Sequence, residues 1–159
     1  MRPPNLLTAL ADVLAGFAAT SALHHVIGSG MLDFIRHELP LDNLVLTGCS
    51  SMCLYAGGVV LNDVFDAELD QVERPERPIP SGIVHKQFAA FFGAVLLLSG
   101  VIMAFISNQT SGYVALVIAF LVIAYDAYSK SHAIVGPFNM GLCRGANLML
   151  GVSIFPEYL

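Results

Sequence analysis

Residues 61–82 read LNDVFDAELDQVERPERPIPSG, and the rest of the sequence is organised around this stretch. An α-helix turns by about 100° per residue, so Asp63, Asp66 and Asp70 fall on one stripe about 60° wide. Asn62 lies at the edge of the same stripe, whereas Glu68 points away from it. The stretch therefore predicts a helix that carries three carboxylates and one amide on a single face.

This acidic face requires positive charge nearby. Three carboxylates on one face repel one another, and next to apolar chain the repulsion is costly unless cations lie between them. Ligands that are all oxygen favour a hard ion, and Mg²⁺ bound together with a diphosphate is the first candidate. The acidic face therefore predicts a Mg²⁺–diphosphate site.

The composition places this site in a membrane protein. Of the 159 residues, 56% are hydrophobic and 12% are charged, and the mean hydropathy is +0.72. Soluble domains carry about 25% charged residues, so the chain reads as an integral membrane protein. The seven Lys and Arg residues form no patch interleaved with aromatic residues, which argues against nucleic-acid binding. The cysteines, Cys49, Cys53 and Cys143, lie in apolar stretches and indicate neither a disulfide framework nor a zinc site.

Apolar segments predict a polytopic transmembrane helix bundle, all-α, forming one domain over residues 1–159. The five predicted spans are Leu6 to about Gly28, Leu41–Leu61, Phe88–Ser107, Tyr113 to about Tyr128, and Phe138 to about Phe155. The second span continues into the acidic face, which then lies at or just below the membrane interface. Residues 108–112 read as a short turn, and the prolines that follow Arg74 end any helix.

The placement of Lys and Arg predicts the orientation in the membrane. One side holds Arg2, Arg74, Arg77, Lys86 and Lys130, whereas the other side holds Arg36 from the first loop. Because cytoplasmic loops carry the excess of basic residues, we expect a multi-pass protein with its N-terminus and its acidic face on the cytoplasmic side.

Further polar groups fall on the side of the acidic face. Arg144 lies about one and a half turns inside its span, where an unpaired charge is costly, so we expect a carboxylate or an anionic ligand opposite it. Lys130, Tyr125 and Tyr128 lie near the same side. Carboxylates bind Mg²⁺, Mg²⁺ and arginine bind diphosphate, and tyrosine faces stabilise cations. Together they suit ionisation of an allylic diphosphate whose apolar tail lies in a membrane groove.

The acidic face and its loop resemble the first signature of the UbiA intramembrane prenyltransferases. The resemblance rests on Asn62-Asp63-x-x-Asp66-x-x-x-Asp70 followed by Arg74-Pro75-x-Arg77-Pro78-Ile79-Pro80-Ser81-Gly82. It extends to Arg2-Pro3-x-Asn5, Tyr128-Ser129-Lys130 and Cys143-Arg144-x-x-Asn147-x-x-x-Gly151, and the repeated Glu-Arg-Pro run looks closest to the EboC-like branch. Chlorophyll synthases and archaeal ether-lipid prenyltransferases share the Arg-Pro-Ile-Pro-Ser-Gly tail, so this tail does not select an acceptor.

The resemblance implies a set of site residues and substrates. The metal-binding residues, which would hold Mg²⁺ against the diphosphate, are Asn62, Asp63, Asp66 and Asp70. The catalytic residues are those three aspartates and Tyr128, which would flank the reacting carbon. The substrate-binding residues are Asn5, Asn62, Arg74, Arg77, Lys130, Arg144 and Asn147. Asp12 would lie where the first helix lines the central cavity. The expected substrates are a prenyl diphosphate and an aromatic or other lipophilic acceptor, within membrane lipid.

One departure from the family concerns the second half of the metal site. The family has another aspartate-rich motif on a later helix, but Glu157 is the only acid after Asp126 in this sequence. We therefore expect the chain to be the N-terminal five-helix portion of such an enzyme, with a missing C-terminal half or a partner subunit completing the site.

Two alternatives remain open at this stage. A non-catalytic membrane fragment or pseudoenzyme that binds lipid or a partner subunit fits a bundle with half a metal site. Half of a transporter would use the same intramembrane charges as an ion path, but it does not explain the Arg-Pro-rich loop. Among single residues, Asp12 can equally be an acid near the interface, and Asp126 can pair with Lys130 four residues later.

Overall fold

The structure is a computed structural model that describes residues 3–27, 40–128, 132 and 134–155, with side chains from residue 6 to residue 23 in the first range. These ranges contain helices and no β-strand. The helices are α1 (Pro3–Ile27), α2 (Leu41–Phe65), α3 (Ala67–Glu73), α4 (Lys86–Ser107), α5 (Gln109–Ala127) and α6 (Val135–Val152). The all-α bundle predicted from the sequence is confirmed.

Within the described part of the chain, four helices are long and apolar enough to cross a membrane. They are α1, through Leu6–Leu23, and α2, α4 and α5 over their full lengths. Helix α6 forms where the fifth span was predicted, but it is less apolar than the other long helices because it carries Asn139, Arg144 and Asn147. Such polar residues in a bundle normally face its interior or a cavity.

The turn predicted over residues 108–112 is wrong. Asn108 alone joins α4 to α5, and its side-chain Oδ1 accepts a hydrogen bond from the N–H of Ser111 at 2.8 Å. This N-cap satisfies one of the free N–H groups in the first turn of α5. The Nδ2 group of Asn108 also donates to the carbonyl oxygen of Ser153 at 3.1 Å, which ties the turn to the end of α6. The helix therefore starts at Gln109 rather than at Tyr113.

The helix predicted to run unbroken through the acidic face is interrupted at Asp66. The backbone N–H of Asp66 donates to the carbonyl oxygens of both Asn62 and Val64, and α3 then begins at Ala67. The torsion angles of Asp66, φ −83° and ψ −3°, remain close to helical values. The chain therefore changes direction only slightly, and Asp63 and Asp70 stay on the same side.

Helices α2 and α4 approach each other closely at glycines. A Cβ atom on Gly57 would lie 3.0 Å from the carbonyl oxygen of Gly93, and one on Gly100 would lie 2.9 Å from that of Ser50. Both distances are too short for a side chain, so glycine is what permits this contact. Gly58 permits a similar approach to α5, since a Cβ on Gly58 would meet Val122 at 2.7 Å.

Helices α1 and α6 cross at a second pair of glycines. A Cβ on Gly16 would collide with the carbonyl oxygen of Leu148, and one on Gly151 would collide with that of Val13. The aromatic rings of Phe17 and Phe155 stack beyond this crossing, with centroids 5.6 Å apart. The two helices therefore run in the same direction, as the first and fifth helices of an up-and-down bundle do.

The buried core lies between the α2–α4 contact and the α1–α6 crossing. It comprises small and branched side chains from five helices: Val13, Leu54, Leu97, Val101, Ala104, Ala115, Ile118 and Leu150. Large apolar side chains cover the outer faces of α4 and α5, including Phe91, Leu98 and Phe120. An apolar exterior around a small-residue interior is the packing expected of helices in lipid.

Candidate active site

The acidic face lies where α2 passes into α3. The amide Nδ2 of Asn62 donates to Oδ2 of Asp66 at 3.1 Å, which joins two of the four predicted metal-binding residues one turn apart. The Asp63 side chain is 43% exposed and that of Asp70 only 5%. Glu68 lies off this face, with 89% of its side chain exposed, and pairs with Lys86 at 3.6 Å. The separation of Glu68 from the other acids follows the predicted helical periodicity.

Arg77 supplies the positive charge that the acidic face requires. Its Nη1 atom lies 2.7 Å from Oδ2 of Asp70 and 3.2 Å from Oδ1 of Asp63, so one guanidinium bridges α2 and α3. The hydrogen bond to Asp70 raises the pKa of Arg77 above its usual value, with additional attraction from the acidic neighbours, while partial burial opposes it. Arg77 therefore stays charged and screens the repulsion between two of the carboxylates.

The Pro-rich loop brings Arg77 to this position. The N–H of Arg77 bonds the carbonyl oxygen of Arg74 at 3.1 Å, and the N–H of Ser81 bonds that of Arg77 at 2.9 Å. Gly82 has φ +78°, a conformation that side-chain-bearing residues rarely adopt. These turns fold the loop back over α3. Arg74 is exposed and caps the end of α3 through its backbone N–H.

The residues of the acidic face fit a hard cation by their chemistry. They offer carboxylate and amide oxygens, which are the ligands that Mg²⁺ prefers. Within the described ranges, no three His, Cys, Asp or Glu side chains converge as a ready metal-binding group. Arg77 lies where a cation would bridge Asp63 and Asp70, which shows that this position accommodates positive charge. The donor set is therefore chemically suitable for Mg²⁺, and in this structure Arg77 occupies the position between Asp63 and Asp70.

A cavity of about 490 Å³ lies between α1, α2, α5 and α6. Asn62 forms part of its wall, so the cavity reaches the acidic face at one end. Much of the remaining wall is apolar, with Leu54, Val59, Ile118 and Val122 facing the space. A long apolar chain can therefore lie in the cavity with its polar end at Asn62.

Arg144 has the carboxylate that the sequence predicted for it. Its Nη2 atom lies 3.2 Å from Oδ1 of Asp12, and both residues line the cavity. The Asp12 side chain is 21% exposed and that of Arg144 is 60% exposed. The reading of Asp12 as a cavity-facing acid is therefore favoured over its reading as an isolated acid near the interface.

Asn147 lines the cavity but is also tied into the bundle. Its Nδ2 donates to the carbonyl oxygen of Ala9 at 2.8 Å, and its Oδ1 accepts from the hydroxyl of Ser51 at 2.7 Å. The Ser51 hydroxyl also lies 3.2 Å from the Ala9 oxygen. One buried cluster thus joins α1, α2 and α6. Sequence reasoning missed Ser51, because a serine in an apolar helix gives no signal of its partner.

The tyrosines of α5 occupy different positions. Tyr125 and the buried Asp126 line the cavity, whereas Tyr128 ends the helix with 77% of its surface exposed. The part assigned to Tyr128 in flanking the reacting carbon stays a prediction, and of these two α5 tyrosines it is Tyr125 that lines the cavity. Lys130 and the side chain of Asn5 lie outside what the structure describes. Tyr55 of α2 also lines the cavity and was not predicted.

Comparison with known proteins finds a matching family, several relatives and a solved structure. The family model described as the UbiA prenyltransferase family matches residues 10–158. A digeranylgeranylglyceryl phosphate synthase of Methanosarcina barkeri is 30% identical over 90% of this chain and 51% of its own length. One from Methanothrix thermoacetophila is 32% identical over 95% of this chain and 51% of its own length.

A solved structure from work on digeranylgeranylglyceryl phosphate synthase in membranes has the same fold. Its TM-score is 0.77 with 26% identity, and the match covers 93% of this chain and 48% of that one. The chain thus spans about half the length of the curated relatives it matches.

Proposed function

Because the chain belongs to the UbiA prenyltransferase family, we propose that it acts as an integral-membrane prenyltransferase or as the N-terminal portion of one. The reaction transfers a prenyl group from an allylic prenyl diphosphate to an aromatic or other lipophilic acceptor. The observation that carries this proposal is the position of Asn62, which is hydrogen-bonded to the acidic face and also forms part of the cavity wall. Through Asn62 a diphosphate site and an apolar cavity become one continuous site.

In this proposal the acidic face holds Mg²⁺ through Asn62, Asp63, Asp66 and Asp70. Bound Mg²⁺ would neutralise the diphosphate and assist its departure. The hydrogen bond between Asn62 and Asp66 orients both side chains towards the shared site. The burial of Asp70 keeps its carboxylate away from bulk water, which strengthens its electrostatic interactions.

Arg77, Arg74 and Lys130 are the proposed phosphate contacts. Arg77 already lies at the acidic face, and its guanidinium can bind phosphate oxygens through charge-assisted hydrogen bonds. Arg74 lies at the end of α3, close in sequence to the same face. If Arg77 moved from the carboxylates to the phosphates, the carboxylates would be free to bind Mg²⁺ and the same loop would bind the diphosphate.

The cavity would hold the prenyl chain and the acceptor. Its apolar wall excludes water from the allylic cation, and the ring of Tyr125 can stabilise that cation. Tyr128 remains the residue that the family resemblance assigns beside the reacting carbon. When the acceptor attacks, its new bond to carbon replaces the bond to diphosphate, and the acceptor loses a proton.

We further propose that the N-terminus and acidic face lie on the cytoplasmic side. The basic residues near the acidic face, including Arg74, Arg77 and Lys86, support this orientation. A second candidate function is a non-catalytic membrane protein that binds lipid or a partner subunit. It is favoured by one observation, the position of Arg77 between two carboxylates, which offsets their repulsion without a metal.

Transfer assays separate the two candidates. Membranes containing the chain, alone or with any partner subunit that co-purifies, are supplied with labelled prenyl diphosphate, Mg²⁺ and a panel of lipophilic acceptors. An enzyme forms prenylated product that disappears in Asp63→Ala and in Asp66→Ala. Undiminished turnover in both variants would contradict the proposed metal site.

A further inference from the structure

Helix α3 has a buried polar side and an exposed apolar side. Ala67 and Asp70 are buried against the rest of the protein. At about 100° per residue, Leu69 and Val72 lie on the opposite side of the helix, where they are 56% and 84% exposed. An apolar surface therefore lies behind the acidic face, on the side of α3 that points out of the bundle.

The Glu68–Lys86 ion pair fixes the height of α3 relative to the membrane. Lys86 is the first residue of α4, a candidate span of 22 residues. Such a helix is about 33 Å long, slightly more than the hydrocarbon core, so Lys86 lies at the edge of that core. The 3.6 Å contact with Glu68 places the start of α3 at the same height. Val72 lies one turn further out, about 6 Å along the axis, which is still within the headgroup layer.

The surroundings of this apolar side favour lipid over protein as its partner. Phe88, Phe91 and Phe92 are exposed in the first two turns of α4, so the lipid-facing surface of the bundle begins next to Lys86. The aliphatic stem of Lys86 can lie along this surface while its ammonium group reaches the headgroups. Two side chains also present far less area than the about 800 Å² per partner that a stable protein interface buries.

We propose that Leu69 and Val72 form a lipid anchor that dips into the boundary between the headgroups and the acyl chains of the bilayer. The apolar face of an interfacial helix binds at this boundary. Because Asp63 and Asp70 lie on the other side of the same segment, the anchor keeps the acidic face turned towards the bundle at headgroup height. The anchor is independent of prenyl transfer, since it concerns only how the protein lies in the membrane.

Single tryptophans test which side of α3 contacts lipid. The chain contains no Trp, so an introduced tryptophan gives the only indole signal. Leu69→Trp and Val72→Trp report on the proposed anchor. Gln71→Trp is the matched control, because Gln71 is exposed at the same height on a different side of the helix. Each full-length variant is reconstituted into phosphatidylcholine vesicles and quenched with lipids brominated near the headgroup, and separately with aqueous iodide.

The two quenchers give opposite orders if the anchor exists. We expect brominated lipid to quench Leu69→Trp and Val72→Trp severalfold more than Gln71→Trp, and iodide to quench Gln71→Trp the most. Equal quenching of all three variants by iodide would overturn the anchor. Protection of Leu69→Trp and Val72→Trp from both quenchers would overturn it as well, because a second copy or another protein would then cover this side of α3.

A second measurement avoids tryptophan, which itself favours membrane interfaces. Hydrogen exchange of the α3 amides in nanodiscs is compared between the wild type and Leu69→Gln with Val72→Gln. Glutamine favours a helix about as well as leucine and better than valine, so faster exchange would not come from helix propensity. We expect about tenfold faster exchange, as for the loss of about two buried CH₂ groups, and no acceleration in the control Gln71→Ala. Equal exchange in the wild type and the double variant would overturn the anchor.

Discussion

The guanidinium of Arg77 lies between the carboxylates of Asp63 and Asp70, with Nη1–O distances of 3.2 Å and 2.7 Å. A residue of the Pro-rich loop thereby screens the repulsion between two carboxylates that belong to different helices. The same carboxylates are proposed to hold Mg²⁺, so the loop and the metal compete for one position. Because of this competition, Arg77 should weaken the binding of metal alone and strengthen the binding of diphosphate.

We expect Arg77→Gln to bind a divalent metal more tightly than the wild type when no diphosphate is present. Removing the guanidinium frees both carboxylates, and their mutual repulsion favours a cation between them. The same variant should bind prenyl diphosphate more weakly, because a phosphate contact is lost. Mn²⁺ binding followed by electron paramagnetic resonance measures the first effect, and binding of labelled prenyl diphosphate measures the second.

Arg74→Gln is the matched control for that experiment. Arg74 is exposed and contributes its backbone to the end of α3, so the affinity for Mn²⁺ alone should not change. Unchanged or weaker Mn²⁺ binding in Arg77→Gln would show that Arg77 does not compete with the metal.

Substitutions at the α1–α6 crossing should destabilise the bundle. The Cβ of Gly16→Ala or Gly151→Ala would collide with backbone atoms of the opposite helix, which cannot move aside as a side chain can. Overpacking of this kind costs about 1–3 kcal/mol, more than the helix propensity gained from alanine. Thermal unfolding in detergent, followed by size-exclusion chromatography of heated samples, measures the loss.

Gly145→Ala, on α6 with Gly151, provides the control. Nothing lies within 4 Å of a Cβ built at Gly145, so only the helix propensity changes. We expect equal or slightly higher stability, by up to about 1 kcal/mol. Equal midpoints for Gly145→Ala and Gly151→Ala would contradict the close crossing.

The hydrogen bonds of Asn147 should couple to Ser51. Ser51→Ala leaves Oδ1 of the buried Asn147 without its donor, at a cost of about 1–3 kcal/mol, and Asn147→Leu leaves the Ser51 hydroxyl with its longer contact to the Ala9 oxygen. Because the two side chains contact each other, the double variant should lose less stability than the sum of the single variants. A double-mutant cycle on unfolding free energy measures the difference. Strict additivity would show that the 2.7 Å contact carries no energy.

Sequence reasoning located the elements well because their signals are local. Apolar length is enough to find a spanning helix, and helical periodicity is enough to separate Glu68 from the acidic face. The carboxylate opposite Arg144 could be anticipated because an unpaired charge inside a bundle is costly, although Asp12 itself could not be singled out. The start of α5 was misplaced because Gln109–Gly112 is polar, and the N-cap at Asn108 overrides that composition.

The tertiary relationships could not be predicted from the sequence. Arg77 was expected at a phosphate, but a stretch of sequence does not reveal that a loop folds back over its own helix. Ser51 and Asn147 meet across 96 residues of chain, and their contact depends on how α2 and α6 pack. The glycines that set the α1–α6 crossing look like ordinary small residues until the opposite backbone is placed against them.

Binding of labelled prenyl diphosphate to the purified chain in nanodiscs, with Mg²⁺ or with a chelator, is the most direct test of the central claim that the acidic face holds the diphosphate through a metal. The wild type should bind with Mg²⁺ and release the ligand on chelation. Asp66→Ala should lose about tenfold or more in affinity, and Glu68→Ala, off the face, should match the wild type. Binding that survives chelation and Asp66→Ala unchanged would contradict the account.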